Sequence, residues 1–145
     1  MELDSSILSS CLFHTSNLFA RRMEKLAEHV FKDKEIAPSY LYLLILVKES
    51  PGTTQKELCN KLGIAPSTST RFIDKLVKKD IVIRQTEWKE THIYLTKYGE
   101  ELMQQMDDQF KELYYLYSSI LGEEKSLQLA KDLYEASEIL KKENL

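Results

Sequence analysis

Residues Thr53 to Thr96 read TTQKELCNKLGIAPSTSTRFIDKLVKKDIVIRQTEWKETHIYLT. The order is two short helices, a strand, a polar hairpin and a second strand. Thr54 followed three residues later by Glu57 is a capping box: the hydroxyl takes the N3 amide and the carboxylate reaches back to the cap amide. Leu58 and Leu62 share a face, and Gly63 supplies the left-handed residue that commonly ends a helix. The second helix starts at Pro66, whose fixed φ suits the first turn. Phe72, Ile73 and Leu76 point inward, leaving Ser67, Thr68, Thr70 and Arg71 at its exposed N-terminal end. Small hydroxyl residues let a helix enter a groove, and an arginine there can fork onto a guanine edge. Ile81–Gln85 and Thr91–Leu95 have the β-branched content of strands, with residues 86–90 as the tip between them. Thr96 then caps another helix. A helix-turn-helix followed by such a wing places one helix in the DNA major groove, which implies a DNA-binding regulator and not a catalyst.

The flanks read as long amphipathic helices. Residues 4–31 carry Leu8, Cys11, Leu12, Leu18, Phe19, Met23, Leu26 and Val30 at helical spacing, with Asp4 as cap. Residues 38–48 form a short, very apolar helix. Residues 97–121 and 123–142, separated at Gly122, carry two more apolar stripes. The chain of 145 residues, 43% hydrophobic and 30% charged, fits one domain of ordinary composition. Within it, 38–99 is expected to be a winged-helix lobe, with 1–37 and 100–145 as dimerisation helices. One small core cannot cover every stripe, so a two-fold homodimer is expected, with two recognition helices about 34 Å apart. No apolar run is long enough to span a bilayer and no signal peptide is seen. A cytoplasmic protein with no membrane partner is expected.

Net charge is −3, but it is unevenly spread. Residues 53–97 hold nine Lys or Arg against five Asp or Glu, a local +4, and the remainder carries −7. A basic lobe on an acidic body suits DNA, because phosphate neutralisation depends on the local field.

Five segments carry a family resemblance: Pro38-Ser39-Tyr40-Leu41, Thr54 to Gly63, Pro66-Ser67-Thr68-x-Thr70-Arg71, Leu76 to Val82, and Leu95-Thr96-x-x-Gly99. In order and spacing the chain resembles the MarR family of bacterial and archaeal transcription regulators over nearly its whole length. The resemblance implies a mainly α fold, a winged helix-turn-helix with a small β hairpin and long terminal dimerisation helices. It also implies a homodimeric repressor on pseudopalindromic double-stranded operators, released by a small ligand or an oxidant. Ser67, Thr68, Thr70 and Arg71 would approach bases, while Gln55, Lys75, Arg84 and Lys89 would hold phosphates. The chain departs from the family pattern at three places. Ala65 replaces the usual hydroxyl cap, Asp80 stands where a glycine commonly ends the recognition helix, and the tip Glu87-Trp88-Lys89-Glu90 lacks the family's Asp-x-Arg.

The candidate switch residues are Cys11, His14 and Tyr40. Some MarR-like peroxide sensors carry a reactive cysteine near the start of the first helix, hydrogen-bonded by tyrosines. Tyr40 is similar to one of these, but no tyrosine lies in residues 12–39. Free cysteine is also among the most buried residue types, so an inert Cys11 stands beside the reactive one, and Cys59 reads as core. Phe13, His14, Tyr40, Tyr42 and Tyr114 are alternatively simple core or the walls of a ligand pocket. His14, His29 and His92 do not converge on a metal. Neither metal nor cofactor is expected, and no phosphate loop, dinucleotide fingerprint or nucleophile–base pair suggests an enzyme. The rival reading is a winged-helix protein adaptor with weak or no DNA binding, suited by the arginine-free wing and by Trp88.

Overall fold

The computed structural model describes residues 3–143. Residues 1, 2, 144 and 145 of the expected terminal segments lie outside that range. In chain order the elements are α1 (Ile7–Ser10), α2 (Leu12–Phe31), α3 (Ser39–Glu49), β1 (Thr53–Thr54), α4 (Gln55–Leu62), α5 (Pro66–Lys78), β2 (Val82–Glu87), β3 (Glu90–Leu95), α6 (Lys97–Leu121) and α7 (Glu123–Lys141). The protein is mainly α with one small antiparallel sheet, the winged helix-turn-helix class expected from the sequence. The described residues pack as two compact units, 27–109 and 3–26 with 110–143.

The first of these is the winged-helix lobe. Its core is built from Leu41, Leu43, Leu44 and Val47 of α3, Leu58 and Cys59 of α4, Ile73 and Leu76 of α5, and Ile81, Val82 and Ile93 around the sheet. Local chemistry sets the helix ends. The Thr54 hydroxyl accepts the Glu57 amide at 3.2 Å, but the Glu57 carboxylate accepts the Thr53 hydroxyl at 2.9 Å. The second half of the expected box is thus redirected to a neighbouring side chain. Gly63 closes α4 at φ 64° and ψ 34°, a conformation that glycine adopts without a Cβ penalty. The sheet has a third strand that hydrophobic periodicity did not show: β1 pairs with β3, Thr53 opposite Ile93 and Thr54 opposite His92. His92 Nδ1 lies 2.7 Å from the Gly52 carbonyl and donates to it.

At the far end of α5, Asp80 sits at φ 60°. The Asp80 amide bonds the Val77 carbonyl at 3.0 Å and the Ile81 amide bonds the Leu76 carbonyl at 2.9 Å. This is a Schellman closure with aspartate in the left-handed position. The Thr96 hydroxyl caps α6 by accepting the Gly99 amide at 2.9 Å and donates to the Asp80 carbonyl at 2.6 Å. Tyr98 donates to the Glu35 carboxylate, and that contact holds the phenol above its ordinary pKa range.

The second unit corrects one expectation. Residues 4–31 do not form a single helix, because the chain breaks at Cys11, which is extended at φ −86° and ψ 118°. Polar side chains crowd the residues before it. The Ser9 and Ser10 hydroxyls bond back to the Ser6 carbonyl at 3.2 and 3.0 Å, and Asp4 accepts the Ser6 amide at 2.8 Å. Such local bonds offer the backbone an alternative to continued helix. In this unit Leu8, Leu12, Phe13, Tyr115, Ile120, Leu127, Tyr134, Ile139 and Leu140 are all exposed.

Candidate nucleic-acid interface

The exposed surface of α5 and the hairpin beside it hold most of the sequence-predicted DNA residues. α5 begins at Pro66 with Ala65 before it and no side-chain cap, so the first amides of this helix are left for another acceptor. Ser67, Thr70 and Arg71 are exposed, Thr68 is half-buried and Ser69 faces the core. One turn further along the same surface lies Asp74, then Lys78. Arg71, Lys75, Lys78 and Lys79 give residues 66–79 four cations against the single carboxylate of Asp74.

Several of these side chains already have partners within the lobe. Gln55 Nε2 donates to the Thr70 hydroxyl at 2.6 Å, and that hydroxyl donates to the Pro66 carbonyl at 3.0 Å. Two residues expected to serve phosphate and base separately are therefore tied to each other across the turn. The Lys75 ammonium sits 5.2 Å from the Tyr40 ring centroid, and Tyr40 packs on Phe72 at 4.4 Å between centroids. A cation over an aromatic face is held in place without losing its charge. Arg84 of β2 donates to the Asp74 carboxylate of α5. Sequence reasoning missed the Gln55–Thr70, Lys75–Tyr40 and Arg84–Asp74 links because each joins residues on different elements.

The wing is shorter than residues 86–90 suggested. The strands pair as far as Glu87 opposite Glu90, leaving Trp88 and Lys89 as a two-residue turn. Trp88 has φ 58° and is 99% exposed. A positive φ at the first central residue is the pattern of a type II′ turn, where glycine is usual. Lys89 stands between two opposed carboxylates.

The candidate switch residues fall in both units. Cys11, half-buried, ends α1, and its carbonyl accepts the Thr15 amide at 2.9 Å. His14 lies on the next turn, half-buried, while Phe13 beside it is 81% exposed. Tyr114 packs edge-on to Tyr115 and Tyr117 at 5.9 and 5.5 Å. Tyr40 and half-exposed Tyr42 belong to the winged-helix lobe, where burial holds the Tyr42 phenol above its ordinary pKa. Cys59 is buried in that lobe's core. Among the described residues no group of His, Cys, Asp and Glu could hold a metal, and no helix is long and apolar enough to cross a membrane.

Residues 37–87 match the model of the MarR family. The HTH-type transcriptional repressor MdtR of Bacillus subtilis is 24% identical over 151 residues, covering 100% of this chain and 97% of that protein. Among solved structures, the transcriptional repressor CouR bound to a 23-mer DNA duplex has a TM-score of 0.83 at 19% identity, covering 94% of this chain and 99% of that one. CouR bound to p-coumaroyl-CoA gives 0.83 at 20% identity, covering 94% and 98%. At these identities the structural likeness is one of fold.

Proposed function

We propose, from the match of residues 37–87 to the MarR family model, that this chain is a homodimeric transcription repressor of that family, binding pseudopalindromic double-stranded DNA through α5. The observation that carries this reading is the exposed surface of α5, an uncapped N-terminus with an exposed Arg71 and cations along the same helix. Helix N-termini accept phosphate because unpaired amides and the helix dipole favour an anion there. In the major groove, Arg71 would fork onto guanine, and Ser67, Thr68 and Thr70 would approach base edges. Gln55, Lys75 and Lys89 would lie against phosphates, Lys75 with its ammonium already fixed over Tyr40. Arg71→Ala is expected to weaken binding to the specific site by about 1–3 kcal/mol with much less effect on a random duplex. Equal binding by variant and parent to the specific site would remove Arg71 from base reading.

The dimer reading is supported by the apolar side chains exposed along the terminal helices, which a monomer would leave in water. Release by a small organic effector is supported by the ligand-bound structure of CouR, which shares the fold. Release by an oxidant would run through Cys11, and Cys11→Ser would then abolish a peroxide response while leaving DNA binding intact. A peroxide response that survives this substitution rules out that route.

One observation favours the adaptor reading. Trp88 stands fully exposed between Glu87 and Glu90 at the wing tip, a surface better suited to a protein than to phosphate. Affinity for DNA that is absent at low salt would favour it, since groove binding must weaken as salt rises.

A further inference from the structure

The charge tally of the lobe counts Arg84 as a cation available to DNA, but Arg84 is not free. Its Nη2 donates to Asp74 Oδ1, and the two side chains are 32% and 57% exposed. Asp74 stands on the exposed surface of α5, one turn after Thr70 and Arg71 and one turn before Lys78. It is the only carboxylate among residues 66–79. Resting on the DNA-binding reading, we propose that Asp74 limits the strength of DNA binding by holding the Arg84 guanidinium against α5, so that Arg84 does not act as a full phosphate contact.

The effect is one of charge. Non-specific affinity for a duplex comes almost entirely from cations that displace condensed counterions, each phosphate neutralised adding about 0.9 to the slope of log affinity against log salt. A guanidinium paired with a carboxylate presents a net charge near zero to a phosphate ridge. The planar fork of arginine binds a carboxylate with fixed geometry, so the pair also sets the direction in which Arg84 points. A lysine on the same strand would be held less firmly. Lys75 offers the contrast within the same helix: its ring partner fixes the ammonium and leaves the charge intact. Asp74 is thus a positioning residue, acting on DNA through Arg84.

The test is a double-mutant cycle read as salt dependence on a random duplex, using the full-length protein. Parent, Asp74→Asn, Arg84→Gln and the double variant are titrated between 50 and 200 mM salt. Both substituted side chains are surface ones, and circular dichroism checks that each protein is folded. With Asp74→Asn the slope should steepen by about 0.9, so that affinity falls about three- to four-fold more than the parent's across that range. In the Arg84→Gln background the same substitution should steepen nothing. An unchanged slope in Asp74→Asn overturns the proposal. A gain that persists without Arg84 also overturns it, because the carboxylate would then act by direct repulsion alone. No binding by any of the four proteins at the lowest salt overturns the DNA-binding reading itself, and the proposal falls with it.

Discussion

Replacing Asp80 by glycine is expected to stabilise the winged-helix lobe by about 1 kcal/mol. Asp80 occupies the left-handed position of the Schellman closure, at φ 60°. Such a conformation costs an ordinary L residue about 1–2 kcal/mol, and aspartate somewhat less because its short polar side chain tolerates it. The carboxylate also lies at the C-terminal end of α5, where a helix dipole disfavours an anion by about 0.3–1 kcal/mol. Against these gains, glycine makes the unfolded chain more flexible, which costs about 0.4–1 kcal/mol. The backbone bonds of the closure, from Asp80 to Val77 and from Ile81 to Leu76, do not involve the side chain and survive the change. For a chain of this length the melting temperature should rise by about 2–4 °C, measured at fixed protein concentration because the proposed dimerisation would also shift it. Asp80→Asn isolates the charge, and should gain less than glycine. Gly63→Ala is the mirror experiment: an added Cβ there meets nothing within 4 Å, so its cost, about 1 kcal/mol, is conformational. A lower melting temperature for Asp80→Gly would refute the reasoning, since the aspartate side chain would then be a net stabiliser.

Other substitutions probe separate parts of the lobe. Gly99→Ala would place a Cβ 2.3 Å from the Ile81 carbonyl oxygen, an oxygen already fixed by the Thr96 amide and hydroxyl at 3.1 and 3.0 Å. It should cost about 1–3 kcal/mol, and a urea midpoint equal to the parent's would show that the helix can retreat. Ser69→Ala should be stabilising by about 1 kcal/mol, because the Ser69 hydroxyl is fully buried with no partner and alanine also favours helix; a loss of stability would mean that the hydroxyl is satisfied after all. Trp88 is the only tryptophan in the chain, so its emission reports the wing directly. If Lys89 reaches a phosphate, that emission should change when specific duplex is added, and a constant spectrum under saturating binding would take the wing tip off the DNA.

What could be read from the sequence was chemistry between near neighbours. Thr54 with Glu57, Gly63, Pro66 and the Thr96 cap each act within a few residues, so their positions in the chain already set the helix ends. The apolar run of α3 likewise announced its burial. The limits appear where partners are far apart or where a competing local bond wins. β1 is two residues long and exists only because β3, about forty residues later, pairs with it. The break at Cys11 is a change of backbone conformation at one residue, which a stripe of apolar positions does not register. In the candidate site, Arg71 and Ser67 stand exposed on α5, as their place in the helix suggested. Counting Arg84 and Asp74 as separate charges concealed their pairing, and counting Gln55 and Thr70 as separate contacts concealed the bond between them.

The most direct test of the central claim is fluorescence anisotropy of the purified protein against the DNA upstream of its own gene, beside a random duplex, at two salt concentrations. On the proposed function the protein should bind the upstream DNA more tightly than the random one, and both affinities should fall steeply as salt rises. No binding to either duplex at the lower salt would contradict the account and leave α5 as a surface for a protein partner.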